Sequence, residues 1–387
     1  MLSGRSAFRS GYYYRGRDYA SEVKLWPETM RDAGYHTWYV GKWHSPRDPW
    51  KCGYGETRGL YSGGGGGAKA KEPTYDYKGR LVTGYRGWTF KTDERMAEPE
   101  KGIGLTPDIS ARFADAAVEL IERRPAKPYF LHVNFTAPHD PLLRPPGHEN
   151  AYDPDKIPLP GNFRSAHPFN HGNAEGRDEV IVPQPRTKQD VREELSVYYA
   201  VISHLDEQIG RIVTSLKETG QWDRTVIIFS SDHGLAMGSH GLMGKQNQYE
   251  HSIGVPLIFA GGGLPAGREV TAQCYLRDLY PTVCDLAGIG IPSSVESASL
   301  AKLFHGPVKE IHPFVVGYFT NSQRMIREEN WKLIWYPHLA RYQLFDLKTD
   351  PLELDDRFGA GDQADRVFGL RNKLENWLRG VGDPLFD

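Results

Sequence analysis

Short apolar runs alternate with amphipathic stretches over the first three quarters of the chain. This alternation restricts the fold more than any other feature. "YHTWYVG" (35–41), "PYFLHVNF" (128–135), "TVIIFSS" (225–231) and "VPLIFAG" (255–261) are rich in β-branched and aromatic residues and read as buried strands. Helical patterns lie between them. "LWPETMRDAG" closes on Gly34, a helix C-cap, and "TPDISARFADAAVELIERR" opens with Thr106 as N-cap and Pro107 in the first turn. "QDVREELSVYYAVISHLDEQIGRIVTSLKETG" is long and amphipathic and stops at Gly220, and "YLRDLYPTVCDLAG" is a shorter helix. Strands that alternate with helices predict an α/β fold, a mainly parallel sheet sandwiched by helices.

The C-terminal part breaks this rhythm. "FVVGYFT", "RMIREENWKLIWYP" and "RYQLFDL" read as antiparallel strands, and "DRVFGLRNKLENWLRG" as a closing helix. The expected division is a main α/β domain over 1–290 and a smaller α+β subdomain over 310–387. Two regions fit neither pattern. Gly63 to Gly67 are consecutive glycines that favour neither helix nor strand. Residues 140–187 are dense in Pro, His and Asn and read as a long loop excursion, a type of segment often given over to function.

Composition removes several classes of function. Lys and Arg total 47 against 49 Asp and Glu, so no global field favours nucleic acid or an anionic membrane. No stretch has the length of a membrane span, and no signal peptide is visible. Cys52, Cys274 and Cys284 are an odd set without metal-type spacing, so they make neither a disulfide framework nor a zinc site, and at least two of them read as buried structural thiols.

In open α/β sheets ligands bind beyond the carboxyl ends of the strands. Three of the apolar runs end in charged or imidazole groups. Lys42 and His44 follow the first, and His139 and Asp140 the second. Asp232, His233, His240 and Lys245 follow the third. Lysines and histidines together suit an oxyanion such as sulfate or phosphate, and an Asp beside a His suits a divalent cation. An anion held between cationic side chains and a metal is the arrangement needed for sulfuryl or phosphoryl transfer. His36, His132 and His204 lie inside elements and read as structural. The glycine run has no GK[ST] after it, so it is not a nucleotide loop.

In this order, "GKWH", "APHDP", "SSDHG", "HGLMGKQNQYEHS" and "LRDLYPTVCDLAG" resemble the type I sulfatases of the alkaline-phosphatase superfamily. The tail "RMIREENWKLIWYP…YQLFDLKTDPLELDD" resembles that family's C-terminal subdomain, and "SDHG" followed by "HGLMGK" its iduronate-type and bacterial polysaccharide branch. The resemblance implies a sulfuric ester hydrolase acting by a formylglycine mechanism, with a sulfated carbohydrate as substrate. It makes Asp232 and His233 metal ligands for one Ca2+, and Lys42 and Lys245 binders of the sulfate oxygens. It makes His44 the partner of the nucleophile's second hydroxyl and His139 the group that protonates the leaving oxygen. His240 is a candidate for the substrate pocket.

"MLSG" matches the last four positions of the family signature C-x-P-S-R-[AS]-x-[LMF]-[LT]-[ST]-G, whose Cys becomes formylglycine. None of Cys52, Cys274 and Cys284 is followed by x-P-S-R. The nucleophile and an Asp-Asp pair of metal ligands are therefore expected upstream of Met1, and the chain as written is expected to be truncated and impaired. The resemblance also suggests a periplasmic or extracellular location. Two alternatives stay open: a phosphoesterase of the same superfamily, and a non-catalytic remnant that binds a sulfated glycan. The lysine pair favours sulfate. The loops "GYRGWTF" (84–90) and "HPFNHG" (167–172) are candidates for stacking on sugar rings.

Overall fold

The computed structural model describes residues 1–11, 18–45, 47–63, 73–82, 84–306 and 308–386. Beyond Gly63, the glycine run lies outside the described residues. The strands are β1 His36–Trp43, β2 Glu56–Ser62, β3 Thr74–Tyr75, β4 Leu81–Val82, β5 Thr89–Lys91, β6 Ala97–Ile103, β7 Tyr129–Asn134, β8 Val226–Ser230, β9 Leu257–Gly261, β10 Val315–Phe319, β11 Gln323–Glu328, β12 Trp331–Tyr336 and β13 Arg341–Asp346. The helices are α1 Ala7–Ser10, α2 Trp26–Asp32, α3 Ile109–Glu122, α4 Arg177–Val180, α5 Lys188–Glu218, α6 Glu250–Ile253, α7 Leu279–Leu286, α8 Lys302–His305 and α9 Ala364–Val381.

The central sheet has the order β6-β5-β2-β1-β7. It is parallel at its centre, where β1 pairs with both β2 and β7, and antiparallel at the β5 and β6 edge. β1 is buried along most of its length because it lies inside the sheet with helices over it. α3 lays Phe113, Ala117 and Leu120 against Trp38, Val40, Tyr61 and Phe90 of the sheet. On another flank, Leu25, Tyr39, Trp43, Cys52 and Tyr54 form a second cluster. α3 starts later than the sequence suggests. Asp108, not Thr106, is its N-cap, because Thr106 to Asp108 form the turn that leads into Ile109.

β8 and β9 form their own antiparallel pair. They join the core through side chains, Ile228, Leu257 and Phe259 packing with Trp26, Phe130 and Tyr280. Phe229 and Ile258 are left partly exposed on the other face of that pair.

The C-terminal sheet is the antiparallel meander β10-β11-β12-β13. One face packs on Leu370, Leu374 and Leu378 of α9. Its other face meets the main body through Met325, Ile334, Tyr336 and Phe345 against Ala236, Leu242 and Tyr249. Among the described residues, no helix is long and apolar enough to cross a membrane.

Candidate active site

Lys42 sits near the carboxyl end of β1, and its placement depends on the glycine before it. Gly41 has φ +97°, and a Cβ there would strike the Asn134 carbonyl of β7. The register shifts between Val40 and Gly41, a bulge that re-aims the strand end. Asn134 Nδ2 then donates to the Lys42 carbonyl at 3.3 Å. Lys42 Nζ lies 5.2 Å from the centroid of the Tyr85 ring. Burial holds its ammonium below the usual lysine value, with Asp232 opposing and Lys245 and Arg177 reinforcing.

His139 follows β7, between two cis peptide bonds, Ala137–Pro138 and Asp140–Pro141. Its Nε2 lies 2.9 Å from Lys245 Nζ. Its Nδ1 lies 2.6 Å from the Asp140 carbonyl and 3.0 Å from Asp140 Oδ1. An ammonium carries only donors, so Nε2 accepts and the imidazole proton sits on Nδ1. Burial first, then Lys245, Lys42 and Arg177, push the imidazole down to about 3, with Asp178 opposing. The Tyr85 ring stands edge-on to His139 at 4.9 Å, and Trp88 edge-on to Tyr85 at 5.0 Å. His44 is exposed and stands edge-on to Trp88 at 5.2 Å. An aromatic wall thus runs from His44 to His139.

Lys245 belongs to the irregular segment after β8. Glu179, fully buried, accepts from the backbone N–H groups of Met243 at 2.9 Å and Gly244 at 2.8 Å. Arg186 is equally buried and pairs with Glu179 at 3.0 Å. This buried pair fixes the backbone immediately before Lys245. Lys245 Nζ then reaches Asp178 Oδ2 at 3.0 Å. Burial alone would raise the Asp178 carboxyl, but Lys245 and Arg177 reverse this and hold it below the usual carboxylate range.

Asp232 and His233 follow β8 directly. The Asp232 side chain is 75% exposed, and its Oδ2 lies 3.6 Å from His233 Nε2. His233 Nδ1 is bound to the Gly234 carbonyl at 3.0 Å, which turns Nε2 toward the Asp232 carboxylate. A carboxylate oxygen and an imidazole nitrogen on one face, the ring held from behind, fit two ligands of a divalent cation. The described residues contain no group of three or more His, Cys, Asp or Glu arranged to hold a metal.

The structure therefore brings Lys42, His139 and Lys245 together, with Asp232 and His233 near enough to act on them electrostatically. It places His240 elsewhere. That ring is buried and stacks on Tyr249 at 4.0 Å, in a cluster with His167, His171 and His251 against the C-terminal sheet. Neither candidate sugar loop offers free aromatic faces. Tyr85 is buried, Trp88 packs beside it, and Phe169 packs edge-on to Tyr336, because large aromatic area is best removed from water. Arg177, Asp178 and the Glu179–Arg186 pair escaped the sequence reading. Their signal was the charged triplet "RDE" inside the Pro-rich 140–187 excursion.

The family model for sulfatases matches residues 1–289. The chain belongs to the sulfatase family. A second model, described as the C-terminal part of N-sulphoglucosamine sulphohydrolase, matches residues 238–379 of this sulfatase. An arylsulfatase of Clostridium perfringens is 29% identical over 369 residues, which covers 90% of this chain and 76% of its relative. A choline-sulfatase of Rhizobium meliloti is 30% identical over 388 residues, covering 94% and 73%. A solved structure of a protein in complex with its substrate D-glucosamine-2-N,6-O-disulfate superposes with a TM-score of 0.77. At 22% identity over 99% of this chain and 87% of the other, that likeness speaks to the fold. This sulfatase is thus a sulfuric ester hydrolase of the alkaline-phosphatase superfamily, and its family implies a divalent cation and a formylglycine.

Proposed function

We propose that this sulfatase releases inorganic sulfate from a sulfated carbohydrate, with Lys42 and Lys245 binding the sulfate oxygens. The convergence of Lys42, Lys245 and His139 beyond β1 and β7 carries the reading. Two ammonium groups in a part-buried pocket match the spread charge of a sulfuryl group through charge-assisted hydrogen bonds. Asp232 and His233 would hold one calcium ion, a hard cation suited to a carboxylate oxygen. The formylglycine that the family implies would supply, as its hydrated aldehyde, a hydroxyl nucleophile for sulfur. The three cysteines of this chain are free thiols. Cys52 and Cys284 lie in apolar clusters, and burial pushes all three thiols up, to about 12 and about 11 for those two and about 11 for Cys274.

When the bond between sulfur and the alcohol oxygen breaks, that oxygen takes a proton. The proton nearest to His139 Nε2 is held on Lys245 Nζ, so the pair acts together in protonating the leaving group. His44, exposed at the other end of the aromatic wall, would take the role the family resemblance implies, meeting the nucleophile's second hydroxyl. The carbohydrate reading is supported by the sulfated glucosamine of the structural relative and by the branch that "SDHG…HGLMGK" resembles.

Calorimetric titration with inorganic sulfate and with a sulfated glucosamine tests this. Both should bind, and Lys245→Ala and Lys42→Ala should each weaken sulfate about tenfold or more, the scale of a charge-assisted hydrogen bond, with little change in Tm. Unchanged sulfate affinity in both variants would remove the lysines from the site. Equal affinity for sulfated and unsulfated glucosamine would leave the carbohydrate reading without its sulfate.

A further inference from the structure

Five ionisable side chains around the pocket form a closed ring. His139 Nδ1 meets Asp140 Oδ1 at 3.0 Å. Asp140 takes both guanidinium nitrogens of Arg177, with Arg177 Nη2 at 3.1 Å from Asp140 Oδ1. Arg177 also pairs with Asp178. Asp178 Oδ2 meets Lys245 Nζ at 3.0 Å, and Lys245 Nζ returns to His139 Nε2 at 2.9 Å. From this closure we infer that Asp140, Arg177 and Asp178 are positioning residues. They hold His139 with its proton on Nδ1 and hold Lys245 Nζ against Nε2. The inference deepens the proposed function and rests on the assignment of His139 and Lys245 to that reaction.

Three observations separate this ring from a surface ion-pair network. The Asp178 side chain is only 5% exposed and Asp140 only 12%, so neither is a solvated carboxylate. The ring spans three remote segments: the turn after β7, the start of α4, and the loop after β8. It therefore sets the relative position of groups that no single element fixes. The backbone also makes room for it. A Cβ on Gly84 would lie 2.9 Å from Arg177 Nη1 and 3.2 Å from Asp140 Oδ2.

The charges also balance in a useful way. Lys42, Lys245 and Arg177 face the pocket with Asp140 and Asp178, so the ring neutralises Arg177 and part of Lys245. Replacing Asp178 by Asn removes an anion beside the sulfate site, so sulfate should bind at least as well. Lys245 and His139 would lose their fixed separation, and a misplacement of about 1 Å can cost on the order of 100-fold in turnover. Loss of a residue that only supports folding would not split binding from turnover in this way.

The test uses the full chain labelled with 15N-histidine, the His139 signals being assigned by their loss in His139→Gln. Wild-type His139 should be neutral with Nδ1 protonated from pH 5 to pH 8. An Nε2-protonated tautomer, or titration at the ordinary histidine value, would overturn the inference. In Asp178→Asn and Arg177→Gln the Nε2 resonance should move and an Nε2–H tautomer should appear, while Asp178→Glu restores most of the wild-type pattern. His139 signals identical to wild type in both Asp178→Asn and Arg177→Gln would overturn it too. Inorganic sulfate titrated into the same samples separates the two claims. A wild-type chain with the expected His139 signature but no sulfate binding would sink the sulfate-site assignment and leave the ring standing.

Discussion

Glu179 and Arg186 illustrate how much can depend on one buried pair. Neither touches the anion pocket, yet Glu179 collects two backbone N–H groups just before Lys245 and neutralises Arg186. Arg186 also donates to the Gly241 carbonyl, so the pair fixes both ends of the 241–244 stretch. Truncating Glu179 leaves a guanidinium buried without its partner. Glu179→Ala should therefore destabilise the fold by about 3–5 kcal/mol in urea unfolding and weaken sulfate binding together. A variant that lost sulfate affinity at full stability would mean that Glu179 meets the ligand itself. At this scale the sequence marked Lys42, His139 and Lys245 as candidates, because each comes after an apolar run that reads as a strand. It did not reveal Arg177 or Asp178. Their partners are about 40 and 70 positions away, and no local pattern encodes a pairing of that range.

The elements that carry the site are held by caps and cross-links. α5 begins at a reciprocal cap. Thr187 accepts from the Asp190 backbone at 3.0 Å, and the Asp190 carboxylate accepts from the Thr187 backbone at 3.3 Å. The helix stops before Gly220, whose φ is +70°, as its sequence predicts. The C-terminal sheet is tied to the end of α9 by a fully buried pair. Arg324 of β11 donates from Nε and Nη2 to both oxygens of Asp383, at 2.5 and 2.8 Å. Removing one member strands a charge in the core, so Asp383→Ala should cost about 3–5 kcal/mol by chemical denaturation. A loss below about 1 kcal/mol would place that pair effectively in solvent. Helices and strands were legible because their apolar periods are local. The pairing of β8 with β9, apart from the central sheet, was not, because partner choice depends on the whole packing.

At the scale of the whole molecule, a nest of imidazoles lies against the C-terminal sheet. His167, His240 and His251 pack around Tyr249, His171 packs against His167, and ring nitrogens of each are buried without a hydrogen-bond partner among the described residues. Burial is the first cause of the low values in all four. It pushes His167 down to about 3 and His171 and His240 to about 4, and holds His251 well below the usual range. The surrounding cations Arg164, Arg186 and Lys332 add to this. The unfolded chain binds these protons near the ordinary histidine value of 6.5, whereas the folded chain does not. More protons are bound in the unfolded state, so stability is intact above about pH 6.5 and is lost as pH falls toward 4. Each such imidazole contributes up to about 1.4 kcal/mol per pH unit in that window. Tm measured from pH 7.5 to pH 5 should fall steeply, and His171→Gln should flatten the curve. A Tm independent of pH across this range would mean that the nest is hydrated and free to charge.

The sequence by itself determined the α/β class, the antiparallel C-terminal sheet and the sulfatase family, and it singled out Lys42, His139 and Lys245. The elements follow from short-range apolar periodicity, and the family and the candidate residues from short motifs that come after the apolar runs. Tertiary structure alone decided that His240 belongs to the imidazole nest against the C-terminal sheet, and that the aromatics of 84–90 wall the pocket instead of offering open faces. It alone joined His139, Asp140, Arg177, Asp178 and Lys245 into one ring. Those outcomes depend on which distant segments share a dry, crowded space, where an unpaired charge is costly and every partner must come from another part of the chain.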